Sequence, residues 1–172
     1  MSSGAKRFAP LYTPEQRRRR NETRWTLVQG ILAPVQFLAF AISLCLVVRT
    51  LLTGEGLALA SGSVVVKTCL LYAIMVTGAI WEKRVFGVYL FAPAFFWEDV
   101  FSMLVIALHT AYLYALFTGA LSVQEQLWLA LAAYAAYAIN ATQFVLKLRA
   151  ARLGEQAEQR QLHALDLTQG AL

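Results

Sequence analysis

Four apolar stretches, divided by short polar breaks, set the rhythm of this chain. Trp25 to Val48 carries no charged residue, and at 1.5 Å per residue it makes a helix of roughly 36 Å, more than the roughly 30 Å of hydrocarbon in a bilayer. Val100 to Gln124 and Gln126 to Leu146 are equally free of charge, and the polar residues from Ser122 to Gln126 supply a tight turn between them. The remaining stretch, Leu57 to Trp81, is interrupted by Lys67, whose long stem is expected to snorkel its ammonium to the interface. The pattern predicts an all-α integral membrane four-helix bundle. Residues 1–24 form a basic arm, residues 25–153 the four-span domain with a loop over 82–99, and residues 154–172 a polar tail that reads as a short, fraying interfacial helix.

Composition agrees: 59% of residues are apolar and 15% charged, outside the range of an ordinary soluble domain. Apart from Arg49 and Lys67, every lysine and arginine falls in the arm, in the 82–99 loop or after the last span. The positive-inside rule then places both termini and that loop in the cytoplasm. The run Arg17 to Arg20 reads as a topology anchor rather than a nucleic-acid site, because it lies just upstream of a span. The first apolar run is too long for a signal peptide and follows a polar arm without a cleavage site, so the N-terminus is expected to be retained. Cys45 and Cys69 lie in apolar spans without metal or redox spacing and read as small core or lipid-facing residues. No phosphate loop, dinucleotide fingerprint or metal-ligand cluster occurs, so no cofactor is expected.

The chemistry concentrates between the second and third spans. Ile80 to Asp99 is dense in aromatics and carries Glu82, Lys83, Arg84, Glu98 and Asp99, and carboxylates beside hydrocarbon are expensive enough to need a reason. Helical spacing puts Glu98, Ser102, Val105, His109 and Tyr112 on one face of the third span. Gln29, Gln36 and Ser43 share a face of the first span, around Pro34, and Ala133, Ala136, Asn140 and Gln143 share a small, polar face of the fourth. Four helices thus surround one polar interior. Plainer roles stand beside these: Asp99 as a helix cap, Trp81, Tyr89 and Trp97 as an aromatic belt, Lys83 and Arg84 as topology determinants, and His109 as a satisfied core histidine. His163 in the tail reads as solvated.

The strings Lys6-Arg-Phe-Ala-Pro-Leu-Tyr-Thr-Pro-Glu-Gln-Arg17, Thr23-Arg-Trp-Thr-Leu-Val-Gln-Gly-Ile-Leu-Ala-Pro34, Gly78-Ala-Ile-Trp-Glu-Lys83, Tyr89-Leu-Phe-Ala-Pro-Ala-Phe-Phe-Trp-Glu-Asp99 and Leu108-His-Thr-Ala-Tyr-Leu113 resemble the chlorophyllide 3-vinyl hydratase family of bacteriochlorophyll synthesis, also called 2-vinyl bacteriochlorophyllide hydratase. The resemblance covers about Lys6 to Leu153. It implies a lyase, multi-pass in a bacterial cytoplasmic or intracytoplasmic membrane, that adds water to the 3-vinyl group of a magnesium tetrapyrrole and leaves a 1-hydroxyethyl group. The magnesium belongs to the chlorophyllide or bacteriochlorophyllide substrate. A homo-oligomer and contact with other pigment-synthesis enzymes remain open.

The resemblance brings no established catalytic residues, so roles follow from chemistry. Hydration of a conjugated vinyl group begins by protonating its terminal carbon, and water then attacks the inner carbon. The reaction needs an acid, a group that binds and deprotonates water, and negative potential near the developing cation. Glu98 is expected as the acid, with Asp99 or Glu82 binding water and stabilising the cation, and His109 as a magnesium ligand or base. Roughly 15 Å of helix separates His109 from Asp99, a long reach for one flat ligand. Expected substrate contacts are His109, Trp81, Lys83, Arg84, Trp97, Tyr112, Asn140, Gln143 and Gln36. A pigment carrier or assembly factor, and a structural subunit of a larger complex, are the competing classes.

Overall fold

A computed structural model describes residues 11–169 as five helices. The short α1 spans Pro14–Glu22, opened by a capping box in which Thr13 and Gln16 bond each other's backbone. α2 (Arg24–Thr53) and α3 (Leu57–Phe86) form one antiparallel hairpin, and α4 (Phe96–Thr118) and α5 (Val123–Gln169) form a second. Gly119 ends α4 at φ 67°, a left-handed position that suits glycine. Ser122 and Glu125 then open α5 through reciprocal side-chain to backbone bonds. The hairpins close a ring in which α2 also meets α5 and α3 also meets α4, while α1 packs on α3.

Four of these helices, Arg24–Thr53, Leu57–Phe86, Phe96–Thr118 and the Val123–Ala157 part of α5, are long and apolar enough to cross a membrane. The protein is thus all-helical among the described residues, a multi-pass membrane protein by length and composition. Its surface is inside-out relative to a soluble bundle: Leu52, Phe117 and Leu27 face outward while Gln36, Ser43, Lys67, Thr68, Ser102, His109 and Asn140 are buried. In water such an apolar exterior would aggregate. In lipid it is the low-energy arrangement.

Boundaries differ from the sequence reading in two places. Residues 82–86 still belong to α3 and residues 96–99 form the first turn of α4, so the irregular connection is only 87–95. The tail is no separate helix either, because α5 runs unbroken through Gly154 to Gln169. A reason is visible at Glu155, which pairs with Arg20 at 3.0 Å and Arg17 at 3.6 Å and so ties α5 to α1. Part of the basic run thereby acts as a clamp. Residues 1–10 of the arm, with Lys6 and Arg7, and 170–172 of the tail lie outside the described residues.

Tyr12, just ahead of α1, closes this end of the bundle. It is buried with Val85 and Phe95, stacks on Phe86 at 5.8 Å between centroids, and lies under the Arg20 guanidinium at 4.6 Å. Burial pushes its phenol above the ordinary value, with Arg20 pulling the other way. The ring therefore stays neutral.

Candidate active site

The expected polar faces point inward. Glu98, Asp99, Ser102, Val105, His109 and Tyr112 are all buried on α4, Gln36 and Ser43 on α2, and Ala133, Ala136 and Asn140 on α5. Gln29, lower on α2, bonds Thr77 at 2.7 Å. Cys45 and Cys69 are exposed, free thiols on the outer surface. Two groups of titratable residues occupy the interior, one at the 87–95 loop and one deeper.

At the loop, Glu82 and Asp99 meet. Each accepts a backbone N–H of the loop, Asp99 Oδ2 from Phe91 at 2.7 Å and Glu82 Oε2 from the adjacent Ala92 at 3.2 Å, so neighbouring loop residues bring the two buried carboxyl groups together. Two carboxyl groups sharing one site disfavour double ionisation, so such a pair can hold a proton between them. Phe91 sits at φ 60°, a left-handed conformation costly for a residue with a Cβ and tolerated where surrounding bonds fix it. Asp99 is therefore no helix cap: the cap position is Phe95, and the Asp99 carboxyl turns back to clamp the strained loop. Beyond the loop, the exposed rings of Phe91, Phe96 and Trp97 lie in series, Phe91 tilted on Phe96 at 5.8 Å and Phe96 edge to face with Trp97 at 5.5 Å between centroids.

Glu98, one position earlier, is held differently. Its Oε2 accepts from Lys147 Nζ at 2.5 Å, and that ammonium also lies 5.1 Å from the Phe95 ring centre. A lysine partner sets Glu98 apart from Glu82 and Asp99, whose carboxyl groups bond backbone N–H groups instead. Lys147 was read only as a topology cation. Its signal was available, since it continues the Asn140 and Gln143 face of α5 by one more turn.

The deeper group centres on Lys67. Instead of snorkelling, Lys67 is fully buried, its Nζ 2.7 Å from His109 Nε2 and 4.0 Å from the Tyr137 ring centre. The reason is its face: Ala60, Val64, Lys67 and Leu71 are the buried stripe of α3, so the stem points into the bundle and has no path along the lipid surface. His109 Nδ1 lies 2.8 Å from the Val105 carbonyl, which only accepts, so Nδ1 carries a proton. One proton then joins Nε2 to Nζ. For His109 to ligate magnesium, Nε2 must give up Lys67. Above this pair Ser43 bonds Ser63 at 2.6 Å and Tyr134 at 2.5 Å.

The other expected contacts divide. Asn140 Nδ2 donates to Ser102 at 2.8 Å, between the two groups. Gln36 is buried with neither amide atom paired, and Asn140 Oδ1 and Gln143 Oε1 are also unpaired. Trp81 packs on Phe86 and Phe95 and donates to Thr26 at 3.0 Å, a structural seat under the loop. Trp97 is exposed. Lys83 caps its own helix by donating to the Gly87 carbonyl at 2.8 Å. Arg84 is exposed and lines a shallow groove with Arg19, Glu22, Thr23, Arg24 and Trp25. Neither Lys83 nor Arg84 reaches the buried acids.

Among the described residues no group of three or more metal-ligating side chains occurs. The sequence profile of the 2-vinyl bacteriochlorophyllide hydratase family matches residues 12–150. Similar proteins include the 2-vinyl bacteriochlorophyllide hydratase of Cereibacter sphaeroides, 70% identical over 149 residues covering 87% of this chain and 92% of the relative. That of Rhodobacter capsulatus is 68% identical over 148 residues, 86% of each chain. No solved structure matches. The match spans α1 to α4 and α5 as far as residue 150, including both groups of buried titratable residues, and on it the chain belongs to the 2-vinyl bacteriochlorophyllide hydratase family of bacteriochlorophyll synthesis and is an enzyme of the hydro-lyase class.

Proposed function

We infer that this protein adds water to the 3-vinyl group of chlorophyllide a, or a closely related bacteriochlorophyllide, and that the Glu82 and Asp99 pair supplies the acid. The observation that carries the assignment is the placement of those two buried carboxyl groups on the N–H groups of adjacent residues in an aromatic loop. The pair gives its proton to the terminal vinyl carbon, forming the new C–H bond and leaving a cation on the inner carbon that the macrocycle delocalises. Water attacks the inner carbon, and its surplus proton returns to the carboxylate just formed. The pair ends as it began. No electrons are exchanged.

Glu98, first expected as the acid, takes a different part here. Its charge, balanced by Lys147 at some distance from the reacting carbon, contributes to the negative potential that favours the cation. Exposed Phe91, Phe96 and Trp97 offer faces for a flat conjugated ring. The substrate magnesium and the possible His109 contact are not needed for the proton steps. Basic residues gathered at the α1 and loop end support an orientation with that end in the cytoplasm of a bacterial inner membrane.

The test is direct. Protein in lipid nanodiscs is incubated with chlorophyllide a and no reductant, and the pigment is extracted and weighed by mass spectrometry. A product heavier by one water is expected. Pigment bound and recovered at its original mass would instead favour a carrier.

A further inference from the structure

The interior between the acid pair and Lys67 is poorly paired for a membrane protein. Gln36 is only 2% exposed, yet both ends of its amide lack a partner, and Asn140 Oδ1 and Gln143 Oε1 lack one as well. Inside a bilayer no water competes for such groups, so unmet hydrogen-bonding capacity there marks a place where something polar is received. Lys67 adds to it. Of its three N–H bonds one meets His109, while the ammonium otherwise faces the rings of Tyr137 and Tyr134.

Printed on the four helices, these groups fall into one strip. On α2, Gln36 lies two turns from Gln29, which bonds Thr77, and two turns from Ser43, which bonds Ser63. Its level on α3 is therefore near Leu71, one turn from Lys67. On α4 the strip follows the buried face Asp99, Ser102, Val105 and His109. On α5 it follows Tyr137, Asn140 and Gln143, with Asn140 joined to Ser102. One end is the acid pair and the other is Lys67 with His109, separated by ten residues of helix or about 15 Å. That is a long reach for the flat ring alone, and a tetrapyrrole covers it only when the substituents on opposite rims are counted.

The strip lies on the boundary between the two hairpins. Across the α3 to α4 side, the polar links include Lys67 to His109 inside and Tyr72 to Thr110 at the outer edge, 2.7 Å each, with the Glu82 and Asp99 bonds to the loop at one end. Each can be exchanged for a bond to a ligand.

We propose that the α3 to α4 seam is the substrate's entrance from the lipid: the hairpins part there, and the pigment stands on edge between them along the buried face of α4. Its vinyl group rests at Glu82 and Asp99. The carbonyl groups on its far rim accept hydrogen bonds from Gln36 and Lys67. This rests on the hydratase reading for the vinyl end, whereas the slot itself rests on the unpaired interior and the seam.

Two measurements test it. In a Cys45→Ser and Cys69→Ser background, Tyr72→Cys and Thr110→Cys are joined by a reducible bis-methanethiosulfonate spacer, and chlorophyllide a binding is followed by absorbance. Joined protein is expected to lose binding and turnover at least tenfold and to regain both on reduction. Equal binding by joined and reduced protein would overturn the entrance. Gln36→Leu separates contact from structure, because removing an unpaired buried amide should raise Tm if nothing else changes. The slot requires that this stabilised variant bind chlorophyllide about fivefold to tenfold more weakly, the worth of one hydrogen bond. Unchanged affinity would remove Gln36 from the site and the slot with it. A wild-type protein that shows this binding pattern but returns the pigment unhydrated would keep the slot and defeat the hydratase reading.

Discussion

Replacing Asp99 by Asn and by Ala separates its two jobs, clamping Phe91 and holding a proton with Glu82. The Asn side chain keeps an oxygen where Oδ2 accepts the Phe91 N–H at 2.7 Å, so the loop retains its bond and stability should change by about 1 kcal/mol or less. Asn has no acidic proton. Loss of a positioned acid typically costs about 10²-fold to 10⁴-fold in rate, or about 3–5 kcal/mol of transition-state stabilisation. Ala removes the acceptor too, leaving a half-buried N–H unpaired at about 1 kcal/mol. It also frees Phe91 to leave φ 60°, a conformation whose strain is about 1–3 kcal/mol. The aromatic platform should then loosen. Turnover is measured by mass spectrometry in nanodiscs, pigment affinity by absorbance titration and stability by thermal unfolding. Asp99→Asn should bind pigment and fold normally yet turn over at least a hundredfold more slowly, and Asp99→Ala should add a lower Tm and weaker binding. Asp99→Asn within about threefold of wild-type turnover would refute the acid assignment.

Other expectations follow from neighbouring contacts. Glu98→Gln should slow turnover by about tenfold, less than Asp99→Asn, whereas Lys147→Met should cost stability by leaving the Glu98 charge buried and unpaired; a larger rate loss from Glu98→Gln than from Asp99→Asn would return the acid role to Glu98. Reversal of the Arg20 and Glu155 pair should be close to neutral in Tm while Arg20→Glu alone destabilises by about 1 kcal/mol, and no recovery in the double variant would mean that the pair does not hold α5 to α1. Cysteines placed singly at Gly56 and Gly119 in a thiol-free background should react with an impermeant reagent added outside spheroplasts, and one at Arg84 should not; labelling at Arg84 would invert the orientation.

Much of this architecture was legible from periodicity alone. The α4 face from Glu98 to Tyr112 and the α5 face from Ala133 to Asn140 are buried as spacing requires, with Gln143 half-buried at its end, because a helix in lipid has only one polar environment to turn to. What spacing missed were choices between partners. Lys67 looked like an interfacial lysine since snorkelling depends on which side of the helix the stem leaves, and only the stripe Ala60, Val64, Leu71 decides that. Glu82, Glu98 and Asp99 looked interchangeable in sequence. They differ because α5 brings Lys147 into direct contact with Glu98, while the turn at residues 87–95 brings two backbone N–H groups to the others. Tyr12 was hidden in a polar arm and shows itself only as the plug it makes with Phe86 and Phe95. The length of α5 was masked by Gly154 and the glutamine-rich tail, whose helix is held by Glu155 against α1.

Isotopes follow the reaction's two new bonds, and they test its chemistry most directly. Wild-type protein in nanodiscs is given chlorophyllide a in water enriched in deuterium or in oxygen-18, beside a Glu82→Gln and Asp99→Asn double variant that has been shown to bind pigment. The mechanism requires one solvent deuterium in the new methyl group and one solvent oxygen on the adjacent carbon, with neither in pigment from the double variant. Full incorporation by the double variant, or pigment recovered from the wild type without either label, would contradict it.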